Sequence, residues 1–185
     1  VAKERPDRLT ALLYPWASDR RQWDSGGVAE LRTRFLDLVL SNANNQTILE
    51  RAGNLDLPDW WLTAGAVFQT VWNVLDQRPA DAGIQDYDLL YFDPKDLSAE
   101  SETNVNRHAA ALFADLDILV EARNEARVHL WYEEEFGVPG KRSESSRDAV
   151  DHFAATTCCF AVRLGGDESA PLRTARRGVV RPLWH

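Results

Sequence analysis

The segment IQDYDLLYFD (84–93) places Asp86 and Asp88 inside a run of aromatic and aliphatic residues. Such a run, ended by Pro94, reads as a β-strand. Side chains on a strand alternate between faces, so Asp86 and Asp88 point the same way. Their Cα atoms would lie about 6.6 Å apart at a rise of roughly 3.3 Å per residue. Two carboxylates that close raise each other's pKa unless a cation lies between them. A hard divalent ion with oxygen ligands, such as Mg2+, relieves the repulsion. The plain alternative is a solvated strand start with two surface acids, and Asp-x-Asp alone does not separate the two.

Glu121, in ILVEARNEARVHLWY, is a third acid in an apolar strand, with Arg123 on the same face and Val120 on the other. A carboxylate there needs a partner, either Arg123 or a metal. Gly65-Ala66 forms a tight turn from strand to helix. A Gly at such a turn lets backbone N–H groups approach a ligand, and a helix N-terminus favours phosphate. Most glycines of this kind merely turn the chain. The order is what adds meaning: Gly turn, helix, Asp-x-Asp strand, helix, strand with a third acid. Three carboxylates from adjacent strands beside a phosphate-binding turn is the layout of two-metal phosphoryl or nucleotidyl transfer.

The elements that must position these groups follow from periodicity. VAELRTRFLDLVLSNA (28–43) sets Val28, Leu31, Phe35, Leu38 and Val39 on one helical face. Asn42 to Asn45 reads as a polar break, and residues 46–54 as a short helix closed by Gly53. LPDWWLTAG (57–65) is a short strand. The helix over 66–76 has Val67, Val71, Val74 and Leu75 on its inner face. Residues 77–83 form a loop. Residues 96–116 form a helix capped by Ser98, with Val105, Ala109, Leu112, Phe113 and Leu116 inward. Residues 117–123 form a strand, and 124–137 a helix from an Asn cap to a Gly stop. The stretch 147–164 reads as a helix, although its end fits a strand as well. Residues 1–24 are irregular and 165–185 show no period. Helices alternating with a few strands predict an α+β domain: a small mixed sheet with packed helices over 26–165, an N-terminal extension over 1–25 and a C-terminal tail over 166–185.

The chain has 185 residues, 44% of them hydrophobic, with 7 Trp and 7 Phe, so it can bury a core without disulfides. Its 21 basic and 29 acidic residues leave a net charge of −8, which opposes binding to nucleic acid unless a local basic groove exists. The two cysteines, adjacent at Cys158-Cys159, give neither a disulfide framework nor metal spacing, and a reducing compartment such as the cytoplasm is expected. No apolar run is long enough to span a bilayer, and the N-terminus lacks a signal-peptide core. The chain starts at Val1 and contains no Met, so its natural start is expected upstream.

LPDWWLTAGAVFQTVWNVLD, IQDYDLLYFD, VEARNEARVHLWYEEEFGVP and AVDHFAATTCCFAVRL together resemble a bacterial nucleotidyltransferase-like family, long known as a domain of unknown function, within the polymerase-β-like superfamily. The similarity spans roughly residues 26–165. It implies the nucleotidyltransferase fold and transfer of a nucleotidyl group from a nucleoside triphosphate to a hydroxyl with Mg2+. By this resemblance Asp86 and Asp88 are the paired metal-binding acids, Glu121 is the third, and Gly65 is the glycine of the nucleotide-binding turn. Three positions depart from the pattern. Ala66 stands where Ser or Gly is usual. Gln69 stands where relatives can carry Arg. Basic residues from Thr174 to Arg177 replace an acidic stretch of the tail.

Around this constellation, Gly65, Ala66, Gln69, Asn73 and Arg123 are candidate nucleotide contacts. Asn73 is either such a contact or an exposed helical Asn. Arg123 either meets the triphosphate or pairs with Glu121. Asn124 reads as a helix cap, His129 as a packing residue or proton acceptor, and Cys158-Cys159 as packing. Arg173, Arg176, Arg177 and Arg181 form either an anion site or a solvated tail. The expected activity is Mg2+-dependent transfer of a nucleoside monophosphate to a small or protein hydroxyl acceptor, with no membrane partner. The alternative is a catalytically silent relative that binds a nucleotide or a partner.

Overall fold

The computed structural model describes residues 9–12 and 25–164. The described strands form one sheet in the order β1-β5-β2-β3-β4. They are β1 (Leu9–Leu12), β2 (Trp61–Thr63), β3 (Asp86–Tyr91), β4 (Leu119–Asn124) and β5 (Ala161–Leu164). β3 and β4 run parallel, with helix α4 (Ala99–Leu112) between them in sequence, and the other pairs are antiparallel. The architecture is the expected α+β fold with a small mixed sheet and packed helices.

Strand alternation divides the sheet into two unlike faces. Leu62, Tyr87, Leu89, Tyr91, Val120, Ala122 and Val162 point into the main core. There they meet Val39 of α1 (Ser25–Val39), Ile48 and Leu49 of α2 (Ala43–Arg51), Ala66 and Val67 of α3 (Gly65–Leu75), and Ala109 of α4. Trp61, Leu90 and Ala161 point the other way, into a smaller cluster with Cys159 and Val150 of α6 (Ser146–Val150). The second face is therefore only partly covered, and it is the one that carries Asp86 and Asp88.

Several expectations need correction. The stretch 147–164 is not one helix: α6 ends at Val150, a 3-10 turn spans Thr156–Cys158, and β5 follows as an interior strand. The demand for a strand between β1 and β2 overrides the helical spacing of this short apolar run. Residues 9–12, expected to be irregular, add β1 to the sheet edge. The helix over 124–137 is broken into a 3-10 turn (Val128–Leu130) and α5 (Tyr132–Phe136), which Gly137 ends at φ 70 as expected. Gly53 does not close α2; it lies within a 3-10 turn, and Asp56 takes the left-handed position at φ 53. Leu31 and Leu75, placed inward by periodicity, are 47% and 53% exposed. The inner face of α3 instead holds Thr70 and Asn73, because both find partners inside.

The supposed polar break at Asn42–Asn45 is a buried network. Asn42 caps α2 by accepting from Asn44 N, and its Nδ2 donates to Thr70 Oγ1 at 3.0 Å. Asn45 Nδ2 donates to Ala66 O at 2.7 Å and to Val39 O at 3.0 Å. These bonds fix the first turn of α3 to α2, since a buried carbonyl left without a donor is costly.

The free edge of β4 is closed by side chains of α4. Asn106 Oδ1 accepts from Ala122 N at 2.8 Å and its Nδ2 donates to Ala122 O at 2.9 Å, as a neighbouring strand would. Glu102 Oε1 accepts from Asn124 N at 2.8 Å. This pins β4 in the register that sets Glu121 opposite Asp88. Asn106→Leu leaves both Ala122 groups unpaired and is expected to destabilise the fold by about 2 kcal/mol, measured by urea unfolding.

Candidate metal centre

β3 presents Asp86 and Asp88 at its start, and parallel pairing puts Glu121 of β4 level with Asp88. The carboxylate oxygens of Asp86, Asp88 and Glu121 come within 4.8 Å of one another. A single Mg2+ with oxygens at about 2.1 Å spans about 4.2 Å between opposite ligands, so small side-chain adjustments bring this all-oxygen set into range. The residues fit a hard divalent cation.

The electrostatics agree. Asp88 is pushed up to about 6, first by burial and then by the neighbouring Asp86 and Glu121, while Arg123 opposes the shift. Arg123 Nη2 lies 3.2 Å from Glu121 Oε2 in a partly exposed pair. Glu125, just past the end of β4, is pushed up to about 7 by burial, by Glu102 and by Asp88, with Arg123 again opposing. Sequence reading missed Glu125, although the two-residue step from Glu121 through Arg123 was a usable signal.

β2 brings the Gly turn to the same place. Thr63 pairs with Asp88 across the strands, and α3 begins two residues later. Thr63 Oγ1 donates to Phe160 O at 2.8 Å, tying β2 to the chain entering β5. No side chain caps the N-terminus of α3. Ala64 sits at φ 52, ψ −133, a conformation L-residues rarely adopt. Such strain is of order 1–3 kcal/mol. Ala64→Gly is therefore expected to raise stability by about 1 kcal/mol after the added freedom of the unfolded chain is subtracted, read as a higher melting temperature. A Cβ added at Gly65 would meet nothing within 4 Å. Packing does not require a glycine there, and the open space lies at the helix start.

Other sequence candidates are placed differently. Ala66 is fully buried in the main core, which leaves its backbone N–H as the group it can offer. Gln69 Nε2 donates to Asn73 Oδ1 at 3.1 Å. Asn73 is not an exposed helical Asn: it is 1% exposed, and its Nδ2 donates to Ala82 O at 2.8 Å and Ala80 O at 3.2 Å. Its donors are spent on the loop after α3. Asn124 ends β4 and is not a helix cap; it accepts from Asp93 N and Ala126 N. Arg127 is engaged by Glu102 and by Leu97 O. Burial pushes the thiols of Cys158 and Cys159 up, in keeping with packing. Asp59, which sequence reading passed over, holds α6 against this face by accepting from Ser146 N and Trp61 Nε1. The basic tail positions Arg173 to Arg181 lie outside the described residues.

Comparison with known proteins gives this geometry a family. The family model described as nucleotidyltransferase matches residues 50–177. The chain belongs to the nucleotidyltransferase family. It falls within the polymerase-β-like superfamily. No curated protein matches the chain. A solved structure described as a CCA-adding enzyme head domain is similar in fold, with a TM-score of 0.56 and 24% identity. The match covers 69% of this chain and 62% of the other, so this chain spans less than two thirds of that protein. Among the described residues, no helix is long and apolar enough to cross a membrane.

Proposed function

We propose that the protein transfers a nucleoside monophosphate from a nucleoside triphosphate to a hydroxyl acceptor, using Asp86, Asp88 and Glu121 as metal ligands. The observation that carries this reading is the approach of the three carboxylates within 4.8 Å on the open face of the sheet. Family membership supports it. Mg2+ held by these acids would acidify the acceptor hydroxyl and offset the charge of the leaving pyrophosphate.

The chain's own groups do the rest. Gly65 and Ala66 present backbone N–H groups at the start of α3, where the helix dipole favours phosphate. Glu121 is partly exposed. In this reading it takes the acceptor's proton as the acceptor oxygen bonds to the α-phosphorus and the bond to the β-phosphate oxygen breaks. Arg123 supplies a positive charge on the same face. The net charge of −8 favours a small or protein acceptor over a long nucleic acid.

The test is incubation with Mg2+, α-labelled nucleoside triphosphates and a cell extract, followed by identification of the labelled species. Label and pyrophosphate that appear with wild type and vanish with Asp88→Asn support transfer. Binding of Mg2+ and nucleotide without pyrophosphate release points to the silent relative, which the absence of any hydroxyl at Ala64-Gly65-Ala66 favours.

A further inference from the structure

Resting on the metal reading above, we propose that Arg123 is an exchangeable counter-cation that holds Glu121 until a divalent ion takes that carboxylate. Three acids share this face of β3 and β4, Asp86, Asp88 and Glu121, and Glu125 follows just past the end of β4. Arg123 is the cation that acts on both Asp88 and Glu125. Its Nη2 donates to Glu121 Oε2 at 3.2 Å. Pair members are 50% and 36% exposed, which makes the bond weak and easily exchanged. A three-carboxylate site binds a divalent ion more strongly than a half-exposed guanidinium, because the ion meets all three oxygens at once. Contact with Glu121 also keeps the guanidinium on this face, beside the acids and level with Leu90. The ion that occupies Glu121 thereby releases Arg123.

The experiment is Mn2+ titration of the full chain without nucleotide, followed by electron paramagnetic resonance, for wild type, Arg123→Gln and Asp88→Asn. Arginine side-chain NMR during Mg2+ titration runs in parallel. Arg123→Gln is expected to bind Mn2+ about three- to tenfold tighter, since the metal no longer displaces a cation. In wild type, the Arg123 Nη signals should show slowed rotation without metal and faster averaging once Mg2+ is bound. Tighter Mn2+ binding without that change in Arg123 motion reflects charge removal at a distance and overturns the proposal. Equal or weaker Mn2+ binding by Arg123→Gln overturns it too, while leaving the metal site standing if Asp88→Asn abolishes binding. Absence of Mn2+ binding in both wild type and Arg123→Gln overturns the metal reading itself.

Discussion

Asp88→Asn is expected to raise the melting temperature of the metal-free protein at pH 8 and to abolish Mg2+-dependent transfer. The two effects share one cause. Asp88 is largely buried beside Asp86 and Glu121, and its pKa rises from 3.8 to about 6 in the folded state. Below about pH 4 both folded and unfolded forms hold the proton, and no penalty applies. Between about pH 4 and 6 the folded form keeps a proton that the unfolded form has lost, so stability falls as pH rises through that window. Well above pH 6 the full penalty is present, about 3 kcal/mol. The neutral amide removes it. For a chain of this size that is a gain of about 6–10 °C at pH 8, and a smaller gain at pH 5. Glu125 is shifted in the same direction to about 7, so a residual pH slope persists in the variant. Mg2+ should stabilise wild type and not Asp88→Asn. Loss of transfer is expected to exceed about 1,000-fold, or about 4 kcal/mol of transition-state stabilisation. Calorimetry at the two pH values, with and without Mg2+, checks the stability half, and equal melting temperatures for the two proteins at pH 8 would refute it.

Gly65→Ala separates fold from function by a different route. The new methyl meets no protein atom within 4 Å, and Ala is favoured over Gly in a helix by about 1 kcal/mol. Stability is therefore expected to hold or to rise slightly. The same methyl stands at the turn proposed to face the phosphates, where backbone must approach the ligand closely. The Michaelis constant for the nucleoside triphosphate is expected to rise on the order of 10- to 100-fold. A variant that melts normally and binds nucleotide normally would remove this turn from the site.

What the sequence revealed and what it hid divide along physical lines. The convergence of Asp86, Asp88 and Glu121 was legible because strand alternation is local, and one parallel pairing suffices to align two strands. The Ser98 cap and the inward row of α4 were legible for the same reason, since Ser98 accepts from Ser101 N just three residues on. β5 was hidden because AATTCCFAVRL is short enough to satisfy either period, and only the neighbours β1 and β2 decide between them. Asn42, Asn45 and Asn73 were misread because side-chain amides look like surface groups until carbonyls such as Ala66 O and Ala82 O are found beside them. Leu31 and Leu75 show the converse, apolar residues on helical spacing that nonetheless face outward.

The position of β5 in the middle of the sheet bears on how the chain is made. Leu62 pairs with Val162, a hundred residues later, so the acids are all synthesised before the strand that closes the β2 edge. Contacts of such separation form slowly. A nascent chain leaving the ribosome thus exposes an unpaired β2 edge until its last described strand emerges, and this interval is when chaperone capture or strand-swapped aggregation would act.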